Sequence, residues 1–339
     1  MSIRASIYQR LIGLSTRAAP AVLAILLALA AGSGNALAQT AAPPAAAAPP
    51  AAPEAAPPSR SPGELEAKLN EVVLEFARDP RFKSMTEKQV RDRIEFVAGN
   101  VIFATVHEVG HMLVAEMGIP VLGKEEDAVD AFAVLTGLKL SGGVSDRILM
   151  QSARGWFMSD ARNKKQKVKM VFYDEHGLDR QRAYNIVCLM VGGAPDKFGE
   201  AAELTKMPEE RQGTCQGDYS NASWSWNKVL EPHIRKPDQP KTTIAVAYSD
   251  TKKYGVYESG FRKIRLLETI AEHLSDRYVW RQPVSMVMEE CGEPGARWDL
   301  TDRKIHVCYE LAADFGQMYR DFGAASAKKM QKAAKKAKH

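Results

Sequence analysis

The chain is poor in cysteine, and its four cysteines stand in no CxxC spacing, which removes the usual cysteine-based zinc sites. It also lacks a basic body. The formal charge of +5 comes from the ends: three arginines without an acid in residues 1–38 and six lysines without an acid in the last twelve residues leave residues 64–327 at −4. Binding to nucleic-acid phosphates needs clustered positive charge, so this acidic body excludes a dedicated nucleic-acid binder. The apolar run Ala21–Ala31 is about half of what a membrane-spanning helix needs. No internal repeat is visible. Hydrophobic residues at 45% and charged residues at 26% exclude wholesale disorder.

Residues 1–38 read as a signal peptide. Arg4, Arg10 and Arg17 precede the apolar run, Gly32-Ser33-Gly34 breaks it, and Ala36-Leu37-Ala38 supplies a small-residue cleavage site. Uncleaved, the same segment would be an N-terminal anchor, and either reading places the body outside the cytoplasm, in the periplasm or secreted. Residues 39–62 are almost entirely alanine and proline and read as an extended linker. The folded body spans 63–326, and 327–339 form a Lys-rich tail able to make weak contact with an anionic envelope surface. Export permits disulfides. Of three possible pairings, sequence neighbours are preferred, Cys188 with Cys215 and Cys291 with Cys308, each closing a loop of about 20 residues for about 3 kcal/mol.

Within the body, Leu65, Leu69, Val72, Val73 and Phe76 recur at helical spacing over 64–78. Thr86 with Gln89 forms a capping box that opens a long helix to about Glu116, stopped by Gly118 and Pro120. Its second half, Phe96 to Met117, is nearly all apolar, which marks a buried helix. His107, Glu108 and His111 in its middle speak against a membrane span. Further helices are expected over 124–138, from a Ser145 cap through Phe157, from an Asp179 cap, and over 218–230 and 259–279. Alternating residues around Val246 and Met286, and a hairpin over 297–308, predict strands late in the chain. The expected class is α+β, mostly helical with a small antiparallel sheet near the C-terminus.

Residues 107–111 read His-Glu-Val-Gly-His. On a helix, positions i and i+4 share a face, so His107 and His111 can reach one metal ion, and Glu108 beside them can serve as general base toward a water. Two histidines and a glutamate in a buried helix are costly unless paired or metal-bound. A catalytic site needs a third protein ligand and an open position. The HExxHxxGxxH extension is absent, because Val114 and Met117 stand at its Gly and His positions. The next helix opens with Glu125-Glu126-Asp127-Ala128-Val129-Asp130. Glu126 and Asp130 lie on one face; Glu126 is the candidate ligand, with Asp127 and Asp130 as alternatives, and Asp130 is suited to accept a hydrogen bond from a ligand histidine. Glu125 is read as a helix-dipole acid. For the oxyanion of a tetrahedral intermediate, His176, Tyr173, Tyr184 and Arg182 are candidates, with His176 first. His233, His273 and His306 are read as surface or satisfied core residues. Two histidines and a carboxylate suit Zn2+, one per chain.

The HEVGH string, Pro120 to Asp130, Asp174-Glu175-His176-Gly177-Leu178-Asp179, Arg182 to Cys188, Cys215, Glu290-Cys291-Gly292 and Ile305 to Leu311 together resemble a bacterial family of exported proteins. That family is catalogued as a domain of unknown function with an HExxH motif and taken to be metallopeptidases. The resemblance covers roughly 64–320. It implies a zincin-like zinc peptidase fold of the gluzincin kind, with a glutamate third ligand, and no known substrate; the expected partner is a peptide or protein substrate. In that class the sheet usually precedes the HExxH helix, whereas here the strand-like segments follow it. The alternatives to a peptidase are a zinc hydrolase of non-peptide amides or esters, and a non-catalytic, metal-stabilised envelope binding or assembly protein. An intact Glu108 speaks against the last, since a structural metal site has no use for that carboxylate.

Overall fold

The structure, a computed structural model, describes residues 62–140 and 142–323. The expected leader, the linker apart from Pro62, and the Lys-rich tail lie outside the described residues. Helix α1 (Pro62–Arg78) buries Leu69, Val72, Val73 and Phe76, the stripe that its spacing predicts. Helix α2 (Glu87–Met117) starts as expected: the Thr86 hydroxyl accepts from the Gln89 N–H, and the Gln89 side chain accepts from the Thr86 N–H. It ends at Gly118 with φ of 64°, a left-handed conformation that favours glycine. It is the one described helix long and apolar enough to cross a membrane, and 67% of its apolar window is buried inside the protein.

Helices α3 (Glu125–Lys139) and α4 (Gly143–Lys165) pack on α2, and α5 (Asp179–Gly193) packs on both of them and carries α6 (Pro195–Thr205) and α7 (Glu209–Leu230). A disulfide joins Cys188 of α5 to Cys215 of α7, with Cα atoms 4.9 Å apart. Trp226 of α7 packs on Phe132 of α3 and donates its indole N–H to the Ala128 carbonyl. Several expected starts are corrected. The first residue of α4 is Gly143, ahead of Ser145, and Asp179 is the first helical residue of α5, following Leu178 as its cap. The helix expected from 218 begins at Glu209, and α6 has no counterpart in the sequence reading. The helix expected over 259–279 is two, α8 (Gly255–Ile264) and α9 (Leu266–Arg277), parted by Arg265 at φ of 53°. A last described helix, α10 (Tyr309–Met318), returns to α2.

The four strands among the described residues follow α2: β1 (Ala245–Tyr248), β2 (Ser285–Glu289), β3 (Ala296–Asp299) and β4 (Lys304–Cys308). Their order is β1-β2-β4-β3. The sheet is mixed, which corrects the antiparallel expectation: β1 with β2 and β2 with β4 are parallel, and within the sheet only the β3–β4 hairpin is antiparallel. The reason lies in the connections. Helices α8 and α9 carry the chain back between β1 and β2, as a parallel pair requires. Strand β3 folds out to the edge, so β4 enters beside β2. Both β2 and β4 are buried along most of their length, as expected of parallel strands covered on both faces. The second disulfide, Cys291–Cys308, closes the loop between β2 and the end of β4. Two disulfides fit an oxidising compartment.

Candidate metal centre

The site lies where α2 meets α3. Glycine at position 110 makes the approach possible: a Cβ there would stand 2.7 Å from Val129 Cβ and 3.2 Å from Val129 Cα. Val129 sits between Glu126 and Asp130 on α3, so this close contact brings both carboxylates onto the histidines. His107 is buried, and its Nδ1 lies 2.8 Å from Asp130 Oδ1. His111 Nδ1 lies 2.7 Å from Glu125 Oε1. The two Nε2 atoms face each other at 3.2 Å. Glu126 completes the group, with Oε2 3.1 Å from His107 Nε2 and Oε1 3.5 Å from His111 Nε2.

The hydrogen bonds decide what these atoms can do. Each Nδ1 faces a carboxylate, so in the neutral ring it carries the proton and each Nε2 presents a lone pair. Two lone pairs at 3.2 Å repel unless a proton or a cation lies between them, and the Glu126 carboxylate adds negative charge at the same point. Donors about 2.0–2.1 Å from one tetrahedral ion stand about 3.3 Å apart. The two Nε2 atoms stand 3.2 Å apart and lie 3.1 and 3.5 Å from one or the other oxygen of the Glu126 carboxylate, separations close to that value. His107, His111 and Glu126 are thus a donor set that fits a metal ion.

The electrostatics point the same way. Burial opposes protonation of His111, but Glu126 and Glu125 outweigh it and raise the ring to about 9. His107 is raised as well, its burial being outweighed by Asp130 and Glu126. Burial would raise the Glu126 carboxyl, yet His107, His111 and His176 hold it far below the usual carboxylate range. The cluster therefore attracts positive charge. Glu108 differs: burial raises its pKa, partly offset by the two histidines and by the backbone N–H of Trp298, which donates to Glu108 Oε2 at 2.8 Å. A carboxylate so held, one oxygen bound and the other available, suits a proton acceptor.

The structure brings Glu108, Glu126, Asp130 and His176 to this corner. His176 Nε2 lies 3.0 Å from Glu126 Oε2, and its Nδ1 lies 3.2 Å from Asp174 Oδ1. It leaves other candidates elsewhere. Asp127 is exposed and outside the donor group. Tyr173 is exposed, and the Tyr184 hydroxyl donates to the Thr205 carbonyl. Arg182 is buried under Trp156 and holds both oxygens of Asp130 at 2.7 Å. It thereby fixes the carboxylate that orients His107, a role its sequence position does not suggest. Glu125 also departs from expectation: beyond any dipole role it is the partner of His111 Nδ1. The Trp298 N–H escapes sequence reasoning because a backbone donor 190 residues from Glu108 leaves no trace in residue type.

Residues 70–230 and 247–339 match the family DUF4344, described as "Putative metallopeptidase". No curated protein and no solved structure matches the chain.

Proposed function

The chain belongs to the DUF4344 family of putative metallopeptidases, and from that premise we propose that it is an exported zinc peptidase. The observation that carries this reading is the convergence of two Nε2 lone pairs and one Glu126 carboxylate at 3.1–3.5 Å, with Glu108 beside them. His107, His111 and Glu126 would hold the ion. Bound there, zinc lowers the pKa of a coordinated water toward about 7 and polarises a carbonyl oxygen. The chain's own groups do the rest. Glu108 accepts a proton at Oε1, since Oε2 is engaged by the Trp298 N–H, and later returns it to the leaving amine. Asp130 and Glu125 hold the two imidazoles in the tautomer that leaves Nε2 unprotonated. His176 is half exposed, with Nε2 3.0 Å from Glu126 Oε2; in this reading it turns that nitrogen to donate to the oxygen of an attacked carbonyl. Export rests on the leader-like residues 1–38 and on the two disulfides.

The test separates metal from chemistry. Glu108→Gln in the full chain should retain about one zinc per chain and lose peptide hydrolysis by about 10²–10⁴-fold. Full activity in that variant would refute the general-base assignment.

A further inference from the structure

Nine large apolar side chains are exposed among the described residues, and four of them, Val168, Met170, Phe172 and Tyr173, fall within six positions of one loop. Phe172 is 77% and Tyr173 92% exposed, values at which an aromatic ring has almost no packing partner. Leu122, fully exposed, stands on the adjoining α2–α3 turn, whose Lys124 donates to the Asp174 carbonyl. The same stretch is basic. From Lys164 to Tyr173 there are four lysines (164, 165, 167 and 169) and no acid, in a body that is otherwise net acidic.

The loop is tied at its two ends. At the start, Lys167 adopts φ of 55°, and the Val168 N–H donates to the Asn163 carbonyl, which caps α4 and turns the chain outward. At the end, Asp174 accepts from His176 and Lys124. Between them, Lys167 to Tyr173 interleave cations with apolar side chains. A buried core needs no lysines in such a segment, and an anionic polymer needs no Phe172 or Met170. A bilayer interface uses both: apolar groups enter the boundary between headgroups and acyl chains, and lysines extend to the phosphates. The last described residues contact α4 just ahead of the loop. Arg154 of α4 donates to the Gly323 carbonyl, and Lys165 lies over the Phe322 ring. Beyond that point the sequence carries six more lysines.

We infer that the loop 166–173 is a docking site for an anionic lipid bilayer, with Met170, Phe172 and Tyr173 entering the interface and Lys167 and Lys169 against the headgroup phosphates. The inference stands apart from the peptidase reading, since it uses neither the metal nor hydrolysis. The loop runs on into His176, which is bonded to Glu126, so docking holds the candidate metal centre at the membrane surface.

The test uses the full chain with Phe172→Cys carrying a polarity-sensitive fluorophore, the four native cysteines being paired. Leu74→Cys, labelled in the same way on α1, is the control. With vesicles of phosphatidylcholine and phosphatidylglycerol, the probe at 172 should brighten and shift to the blue, and the probe at 74 should not. Vesicles of phosphatidylcholine alone should leave both unchanged. Adding Lys167→Glu and Lys169→Glu should weaken the response at least about tenfold in lipid concentration. An unchanged probe at 172 on a chain that still sediments with the vesicles would overturn the inference and assign membrane contact to the ends. A shift produced by heparin or by casein without vesicles would overturn it in favour of a polyanion or a peptide.

Discussion

Among the described residues, two regions bring histidine and carboxylates within ligand distance, and they are built in opposite ways. At the α2–α3 corner, the outer nitrogen of each histidine is spent on a carboxylate and the inner one faces its neighbours. In the β3–β4 turn, Asp299, Asp302 and His306 also cluster. There, each ring nitrogen of His306 faces its own carboxylate, Glu289 at 2.6 Å and Asp302 at 3.2 Å. Asp299 meanwhile accepts from the Thr301 N–H, and Lys304 pairs with Asp302. The second cluster satisfies itself with hydrogen bonds and ion pairs. The first shares one carboxylate, Glu126, between two Nε2 atoms that face each other at 3.2 Å, so its three groups converge on a single point that positive charge fills. Proximity of ligand-type residues is therefore a weak criterion. The direction in which the unspent lone pairs point separates a metal site from a salt-bridged turn.

The largest effect expected is loss of the metal. His107→Ala should lower zinc affinity by more than about a hundredfold, whereas His306→Ala should leave metal content unchanged; elemental analysis of the full chain reads both. Loss of metal in His306→Ala would erase the distinction between the two clusters. Next come the carboxylates behind the histidines. Asp130→Asn should weaken zinc binding about 10–100-fold. Glu125→Gln should cost less, because its side chain is 43% exposed against 10% for Asp130. Competitive titration with a chromophoric chelator ranks them, and a larger loss from Glu125→Gln would mean that the exposed carboxylate supports its histidine more strongly than the buried one does. The smallest effect concerns the contact beneath the site. Gly110→Ala should destabilise the fold by about 1–3 kcal/mol through its clash with Val129, and should weaken zinc binding by moving α3 outward. A denaturant titration unchanged from the parent would mean that α3 has slack and that the close approach is not required.

Much of the site is legible in the sequence because it is local. His107, Glu108 and His111 lie within two turns of one helix, so helical geometry alone puts both imidazoles on one face. Glu126 and Asp130 repeat that spacing on the next helix, and the short α2–α3 turn allows the two faces to meet. What stays hidden requires distant elements. Arg182 reaches Asp130 from 52 residues away, and Trp298 reaches Glu108 from 190. Glu125 reads as a dipole acid because a first-turn glutamate fits that role whether or not a histidine lies opposite. The exposed loop over 166–173 carries no periodicity, so its apolar side chains cannot be assigned to core or surface from the sequence.

The sheet marks the same boundary. Alternation in β1 and β2 predicts strands, and the turn residues around Asp302 predict a hairpin, but alternation has the same period in parallel and antiparallel strands. Only the packing of α8 and α9 and the outward fold of β3 decided which strands neighbour one another and in which direction. By itself the sequence determined the buried helix with its capping box and glycine stop, the pairing of histidines on one face and the acids that open α3. Each of these depends on interactions between residues close along the chain, whose geometry follows from backbone periodicity. The tertiary structure decided which carboxylate faces which nitrogen, that a backbone N–H holds Glu108, and that four apolar side chains stand in solvent beside the site. Those outcomes depend on where distant segments pack, and on contacts such as Gly110 against Val129 whose fit is set to within a few tenths of an ångström.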